Sequence, residues 1–173
     1  MSRAILWAHT AFILHRDVKP ANVLINQDCS IKLADFGISK VLKRGKHIQI
    51  MTDYIATRWY RSPEVLLGSP TYGKPSDIWG FGCTMVELYI GKPAFPGQST
   101  LNQLARIIEV TGLPSELELA KLSSPLTYGM FKTLDVPENH KTLKELVKND
   151  DPDLLDLLGK IFVFSPERRI TIE

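Results

Sequence analysis

A chain of 173 residues, 44% hydrophobic and 23% charged, is long enough to bury one core and too apolar to remain disordered. A net charge of +2 without an arginine or lysine stripe argues against nucleic-acid binding, and Cys29 and Cys83 lack metal-ligand spacing, so both read as reduced thiols of a cytosolic or nuclear protein. The first fourteen residues carry no signal-peptide pattern, and the most apolar stretch, 78–90, is too short for a bilayer and is interrupted by Glu87.

In chain order, residues 2–11 read as the end of a helix, with Ile5, Leu6 and Phe12 toward a core. A polar loop follows over 15–22. Two short apolar runs, 23–25 and 31–34, flank Asn26-Gln27-Asp28 and predict a small hairpin. Residues 35–61 are long, polar and irregular, a length that in a compact domain usually serves function. Pro63 suits the first turn of a short helix over 63–67. The run 77–89 is apolar on nearly every face, as in a helix at the centre of a domain, and Gly91, Pro93, Pro96 and Gly97 end it. Leu101, Leu104, Ile107 and Ile108 recur at helical spacing until Gly112-Leu113-Pro114. Residues 114–140 show little periodicity. Leu154, Leu155, Leu157, Leu158 and Ile161 mark a last helix, opened by Asp151-Pro152.

Three segments then stand out for their chemistry. The first is His15-Arg16-Asp17-Val18-Lys19-Pro20-Ala21-Asn22; Asp35-Phe36-Gly37 begins thirteen residues past Asn22, and Ser62-Pro63-Glu64 comes third. A lone loop Asp most often caps a turn, so neither Asp17 nor Asp35 would be informative by itself. In this order, the three resemble the catalytic loop, the D-F-G and the A-P-E of eukaryotic protein kinases, with Val18 where Leu is commoner and Ser62 in place of Ala. The resemblance implies a protein-kinase-like α+β fold. The chain would be its mainly α-helical C-terminal lobe, with a small β-hairpin beside the catalytic loop.

It also implies ATP and Mg²⁺ as cofactors and gives each residue a role. Asp17 would orient the accepting hydroxyl and take its proton. Lys19 would neutralise charge on the transferring phosphoryl group and contact the nucleotide. Asn22 and Asp35 would be the hard oxygen ligands of the metal. A lysine two residues after the Asp resembles serine/threonine kinases. His15 and Phe36 would pack inside the lobe and hold the two loops. Asp77 would bond the catalytic-loop backbone, although a plain N-cap would look the same in the sequence. Glu64 would pair with Arg169 in a buried ion pair.

Thr52-Asp53-Tyr54 followed by Ile55-Ala56-Thr57-Arg58-Trp59-Tyr60-Arg61 narrows the resemblance to mitogen-activated protein kinases, leaning to the atypical extracellular-signal-regulated branch. That family carries such a Thr and Tyr as a phosphorylation pair, and two phosphates here would add roughly −3 to −4 charge to the loop. Arg16 would receive phospho-Thr52, Arg58 and Arg61 would receive phospho-Tyr54, and Thr57 would contact Asp17 and Lys19. The implied activation segment is 35–64 and the implied family insert about 113–150. The implied partners are protein substrates with Ser/Thr-Pro sites and an upstream dual-specificity kinase, with neither nucleic acid nor membrane. No glycine-rich phosphate loop is present, since Gly80-Phe81-Gly82 has Met85 where a third glycine belongs. The expectation is therefore a lobe cut short at both ends that transfers phosphate poorly in isolation. The alternative is a non-catalytic module that docks substrates or an activator.

Overall fold

A computed structural model describes residues 1–42, 58–69, 73–122, 129–131, 133–134 and 140–173. Helix α1 (Ser2–Thr10) leads into strand β1 (Ile13–Leu14), a 3₁₀ turn at Pro20–Asn22, and strands β2 (Val23–Ile25), β3 (Ile31–Leu33) and β4 (Lys40–Val41). After a second 3₁₀ turn (Arg58–Tyr60), the helices are α2 (Pro63–Leu66), α3 (Lys74–Ile90), α4 (Thr100–Thr111), α5 (Glu116–Lys121), α6 (Leu143–Val147) and α7 (Pro152–Ile161). Both strand pairs are antiparallel: β1 with β4, and β2 with β3 in the register Val23 to Leu33, Leu24 to Lys32 and Ile25 to Ile31. The expected hairpin is thus the second pair, beside the 15–22 loop. The first pair ties the start of that loop to the chain beyond Asp35-Phe36-Gly37.

Helix α3 is the axis on which the rest packs. It starts three residues before the expected Asp77, with Gly73 as N-cap and Pro75 in its first turn, and Gly91 stops it at φ 74°, a conformation open to glycine. Asp77 is therefore not an N-cap: it lies inside the helix and is buried. Helices α1, α6 and α7 and both 3₁₀ turns lie against α3. Among its buried side chains, Trp79 stacks on Phe95 at 5.7 Å, and Phe162 meets both rings edge-on at 5.1 Å. Such aromatic contacts add to the area that they bury. The apolar stripe of α4 faces this core through Leu104, Ile107 and Ile108, and Ser99 caps its start by accepting from the Asn102 amide at 3.1 Å. No helix among the described residues is long and apolar enough to cross a membrane.

One close approach fixes how α7 sits on α3. A Cβ on Gly82 would lie 2.4 Å from Ile161 Cγ2 and 3.0 Å from the Phe162 ring, both buried. Gly82→Ala is expected to cost about 1–3 kcal/mol by overpacking, despite alanine's better helix propensity. A urea melt checks this; an alanine variant as stable as the parent would mean that the two helices slide apart freely.

Two expectations change here. Ile5 is buried, but Phe12 is 52% exposed. The chain turns at Phe12 with φ 57° to enter β1, which carries the ring outward, 5.9 Å from the Lys74 ammonium. The weakly periodic 114–140 stretch and its sequel hold two short helices with complete capping boxes. Ser115 exchanges bonds with Glu118, and Thr142 with Glu145. The Ser115 and Thr142 backbone amides, first among the causes, hold both carboxyls below the ordinary glutamate value of 4.5. A depressed folded value means that this support is present above pH 4.5 and is lost as pH falls through the depressed value. Exchange protection of the Ser115 and Thr142 amides, which donate to these carboxylates, should therefore fall on acidification from that point, ahead of protection in α3. Ser115→Ala or Thr142→Ala should mimic it at neutral pH, at a cost of about 0.5–2 kcal/mol.

Candidate active site

The 15–22 loop is held from below by one carboxylate. Asp77 Oδ1 accepts from the Arg16 amide at 2.8 Å, and Oδ2 accepts from the His15 amide and the His9 ring Nε2, each at 2.9 Å. Arg16 sits at φ 71°, a left-handed conformation that costs a non-glycine residue about 1–3 kcal/mol unless its surroundings impose it. Two consecutive amides aimed at one buried carboxylate are such an imposition.

Above that anchor the side chains converge. Asp17 Oδ2 meets Lys19 Nζ at 2.7 Å and accepts from Asn22 Nδ2 at 3.0 Å, while the same Asn22 nitrogen donates to the Asp17 carbonyl at 2.7 Å. Asp17 and Lys19 are each about one-fifth exposed, so the pair faces the surface without being fully solvated. The Asn22 carbonyl accepts from the Ala34 amide at 2.8 Å, which sets Asp35 beside Asn22. Asp35 is exposed, at φ 61°, and its Oδ1 accepts from the Gly37 amide at 3.1 Å.

His15 joins the two loops. Its Nδ1 accepts from the Asp17 amide at 3.3 Å, so Nε2 carries the proton and donates to the Ala34 carbonyl at 2.9 Å. Its ring also meets Phe36 edge-on at 4.7 Å. His15 is buried, but Phe36 is 45% exposed. The expectation that both pack inside the lobe is therefore corrected for Phe36: it rests on His15 while the segment around it runs along the surface.

Glu64 and Arg169 form a second cluster, at the start of α3. Arg169 donates to Glu64 at 2.8 and 3.0 Å, with both side chains fully buried, and Ser76 donates to Glu64 at 3.1 Å. Exposed Arg58 opens the second 3₁₀ turn, and its carbonyl accepts from the Arg61 amide at 3.0 Å. Thr52, Tyr54 and Thr57 lie outside the described residues.

The sequence reading passed over four polar contacts. His9 stands four residues after Ile5 on the buried stripe of α1, where a histidine reads as packing. Tyr60 donates to Glu87 at 2.7 Å; burial, and after it this bond, push its hydroxyl well above the usual tyrosine range. The signal was Glu87 itself, a lone charge in an apolar helix that calls for a partner. Trp59 Nε1 donates to the Gly97 carbonyl at 3.0 Å, and the Gly97 amide donates to Gln103 at 3.0 Å. Cys83 has no chemistry to offer, since burial pushes its thiol far up.

Residues 1–173 match the family model of the protein kinase domain. The chain belongs to the protein kinase domain family. It is 44% identical over 175 residues to the extracellular signal-regulated kinase 2 of Dictyostelium discoideum, covering 99% of this chain and 47% of that protein. It is 38% identical to the mitogen-activated protein kinase 15 of Caenorhabditis elegans, over 99% of this chain and 37% of that protein. It is likewise 38% identical to the mitogen-activated protein kinase spm1 of Cytospora mali, over 96% of this chain and 40% of that protein. The chain thus spans less than half the length of these relatives.

For a kinase domain, the donor set fits a nucleotide-bound magnesium ion. Asn22 and Asp35 offer the hard oxygens that such an ion takes. The Asn22 amide nitrogen is committed to Asp17, which leaves its oxygen as the end available to a cation.

Proposed function

We propose that this chain is the catalytic and substrate-facing lobe of a serine/threonine kinase of the mitogen-activated type, acting on Ser/Thr-Pro sites. The observation that carries the reading is Asp17, held at one oxygen by Lys19 and Asn22 over a loop that Asp77 pins from below. When bound, ATP with Mg²⁺ supplies the transferable phosphoryl group and neutralises its charge. Among the described residues, both side-chain contacts of Asp17 fall on Oδ2, so Oδ1 is the atom for an incoming hydroxyl and its proton. Lys19, next to that carboxylate, balances charge on the phosphoryl group as it moves. Asn22 and Asp35 would hold the metal through the side-chain oxygens that make no hydrogen bond among the described residues.

The regulatory half of the reading falls on Thr52 and Tyr54, phosphorylated by an upstream dual-specificity kinase, with Arg16, Arg58 and Arg61 receiving the phosphates. The names of the similar proteins, signal-regulated and mitogen-activated, support a kinase under regulation. The cytosol and nucleus, where such kinases meet their substrates, suit the free thiols of Cys29 and Cys83.

This lobe alone offers one wall of a nucleotide cleft, and misplacing reacting groups by 1 Å can cost about 10²-fold. The test uses the chain alone and the chain joined behind the N-terminal half of the Dictyostelium relative, with ATP, Mg²⁺ and a Ser-Pro peptide. Little transfer is expected from the first and Asp17-dependent transfer from the second. A joined protein that binds the peptide but transfers nothing would instead support the docking-module reading.

A further inference from the structure

We propose that Gln103, with Asn102 beside it, is a positioning residue for the substrate-facing turn Arg58–Tyr60, acting through the Gly97 backbone and Trp59. The turn is held at two successive rings. Tyr60 donates to Glu87 on α3 at 2.7 Å, and Trp59 Nε1 donates at 3.0 Å to the Gly97 carbonyl, in the loop between α3 and α4. The first bond fixes the turn at one point on α3. The second bears on another element and sets how the turn is rotated about the first. The way the turn presents Arg58 and Arg61 therefore follows from where the Gly97 carbonyl points.

That carbonyl sits on a joint. Gly97 lacks the Cβ that would restrict its two flanking peptide planes, and the first turn of α4 holds both. Gln103 Oε1 accepts from the Gly97 amide at 3.0 Å, which fixes the plane before the glycine. Asn102 Oδ1 accepts from the Gln98 amide at 3.1 Å, which fixes the plane after it, the one that carries the carbonyl. The Gly97 amide is shared with the Phe95 carbonyl at 3.1 Å, but that bond lies within the loop and moves with it. Asn102 is exposed, where water competes for its bond, whereas Gln103 is fully buried, so the glutamine carries most of the restraint. The contact also demands the glycine: a Cβ there would lie 2.5 Å from Gln103 Cα and Oε1.

A second observation separates this glutamine from packing. Its Nε2 is buried without a hydrogen-bond partner among the described residues, a cost that an apolar side chain of similar length would avoid. None of the hydrogen bonds of this relay reaches Asp17, Lys19, Asn22 or Asp77, so it governs where a peptide lies rather than the transfer itself.

The substrate half of this inference rests on the kinase reading; the positioning half does not. In nitrogen-15 spectra of the chain, the Trp59 indole N–H, assigned by its absence in Trp59→Phe, should exchange about tenfold or more slower than that of the exposed Trp7. Gln103→Met keeps the length and drops both the acceptor and the orphaned donor. Its urea midpoint should match or exceed the parent's, while the Trp59 indole shifts and exchanges about tenfold faster. Asn102→Ala should do the same to a smaller extent. In the joined, transfer-competent protein, Gln103→Met should raise KM for the Ser-Pro peptide roughly tenfold and leave kcat and KM for ATP within about twofold. Trp59→Phe should behave alike, and the double variant should be no worse than the worse single one, because both cut the same relay.

A Trp59 indole unmoved in Gln103→Met, a loss of kcat at unchanged peptide KM, or additive effects in the double variant would overturn the proposal. If Gln103→Met fails to fold, the Trp59 indole in Asn102→Ala and the peptide KM of Trp59→Phe decide it. If the joined parent transfers no phosphate, the indole readouts still decide positioning and only the kinase reading falls.

Discussion

Arg169→Ala is expected to destabilise the fold by about 3–5 kcal/mol, read as a drop in the urea midpoint without a change in slope. The magnitude follows from what is left behind. Glu64 would stay fully buried with its charge, keeping among the described residues only the Ser76 hydroxyl at 3.1 Å. Arg169 also donates to the carbonyls of Pro75, Val163 and Phe164, and its guanidinium carbon lies 5.0 Å over the Trp79 ring. These carbonyls would lose a charged donor, and the core would lose a cation over its central aromatic. Arg169→Lys should recover little, because a single ammonium cannot reproduce a fork that engages both Glu64 oxygens. Replacing both partners with apolar residues of similar volume should cost far less than either single change, since no charge is then stranded. A loss below about 1 kcal/mol for Arg169→Ala would mean that water reaches Glu64, against its full burial. Because Pro75 and Ser76 directly precede Asp77, the pair also braces the turn of α3 that holds the 15–22 loop.

What the sequence disclosed follows from how local each feature is. The hairpin was legible because two β-rich runs flank a turn within a dozen residues, and α4 because Leu104, Ile107 and Ile108 mark one face. The residues of the candidate site were picked out by the resemblance of their order to the kinase catalytic loop, and since Asp17, Lys19 and Asn22 lie on one loop their mutual contacts are local. Contacts between distant elements were legible only where the resemblance supplied them, as for Glu64 with Arg169 and Asp77 with the 15–22 loop. His9 and Asp77 are separated by 68 residues, and nothing on α1 alone distinguishes a ring that bonds from one that packs. Phe12 and Phe36 misled for a related reason: an aromatic beside a loop is ordinarily core, and the left-handed turn at Phe12 that carries it outward leaves no mark in residue type. Helices α5 and α6 were hidden because periodicity needs more residues than they have, although Ser115 to Glu118 and Thr142 to Glu145 spelled out their starts.

Asp17→Asn in the joined protein should lower kcat by about 10²–10⁴ while leaving KM for ATP nearly unchanged. The substitution preserves shape, and an amide oxygen can still accept from Asn22, so the loop should keep its form and Asp77 its bonds. What disappears is the acceptor for the hydroxyl proton and the negative partner of Lys19, 2.7 Å away. Lys19→Met separates the two effects, because it removes the ion pair and spares the carboxylate. If proton acceptance dominates, Lys19→Met should fall well short of the Asp17→Asn loss. If the pair serves mainly to balance charge on the phosphoryl group, the two losses should be alike, and adding Lys19→Met to Asp17→Asn should cost little more. A kcat for Asp17→Asn within tenfold of the parent would remove Asp17 from the proton step and leave the loop as an electrostatic and positioning device. Asn22→Ala is the needed contrast. Losing both the Asp17 bond and the oxygen proposed for the metal, it should raise the magnesium requirement, whereas Asp17→Asn should not, so the metal titration tests the two neighbours for different jobs.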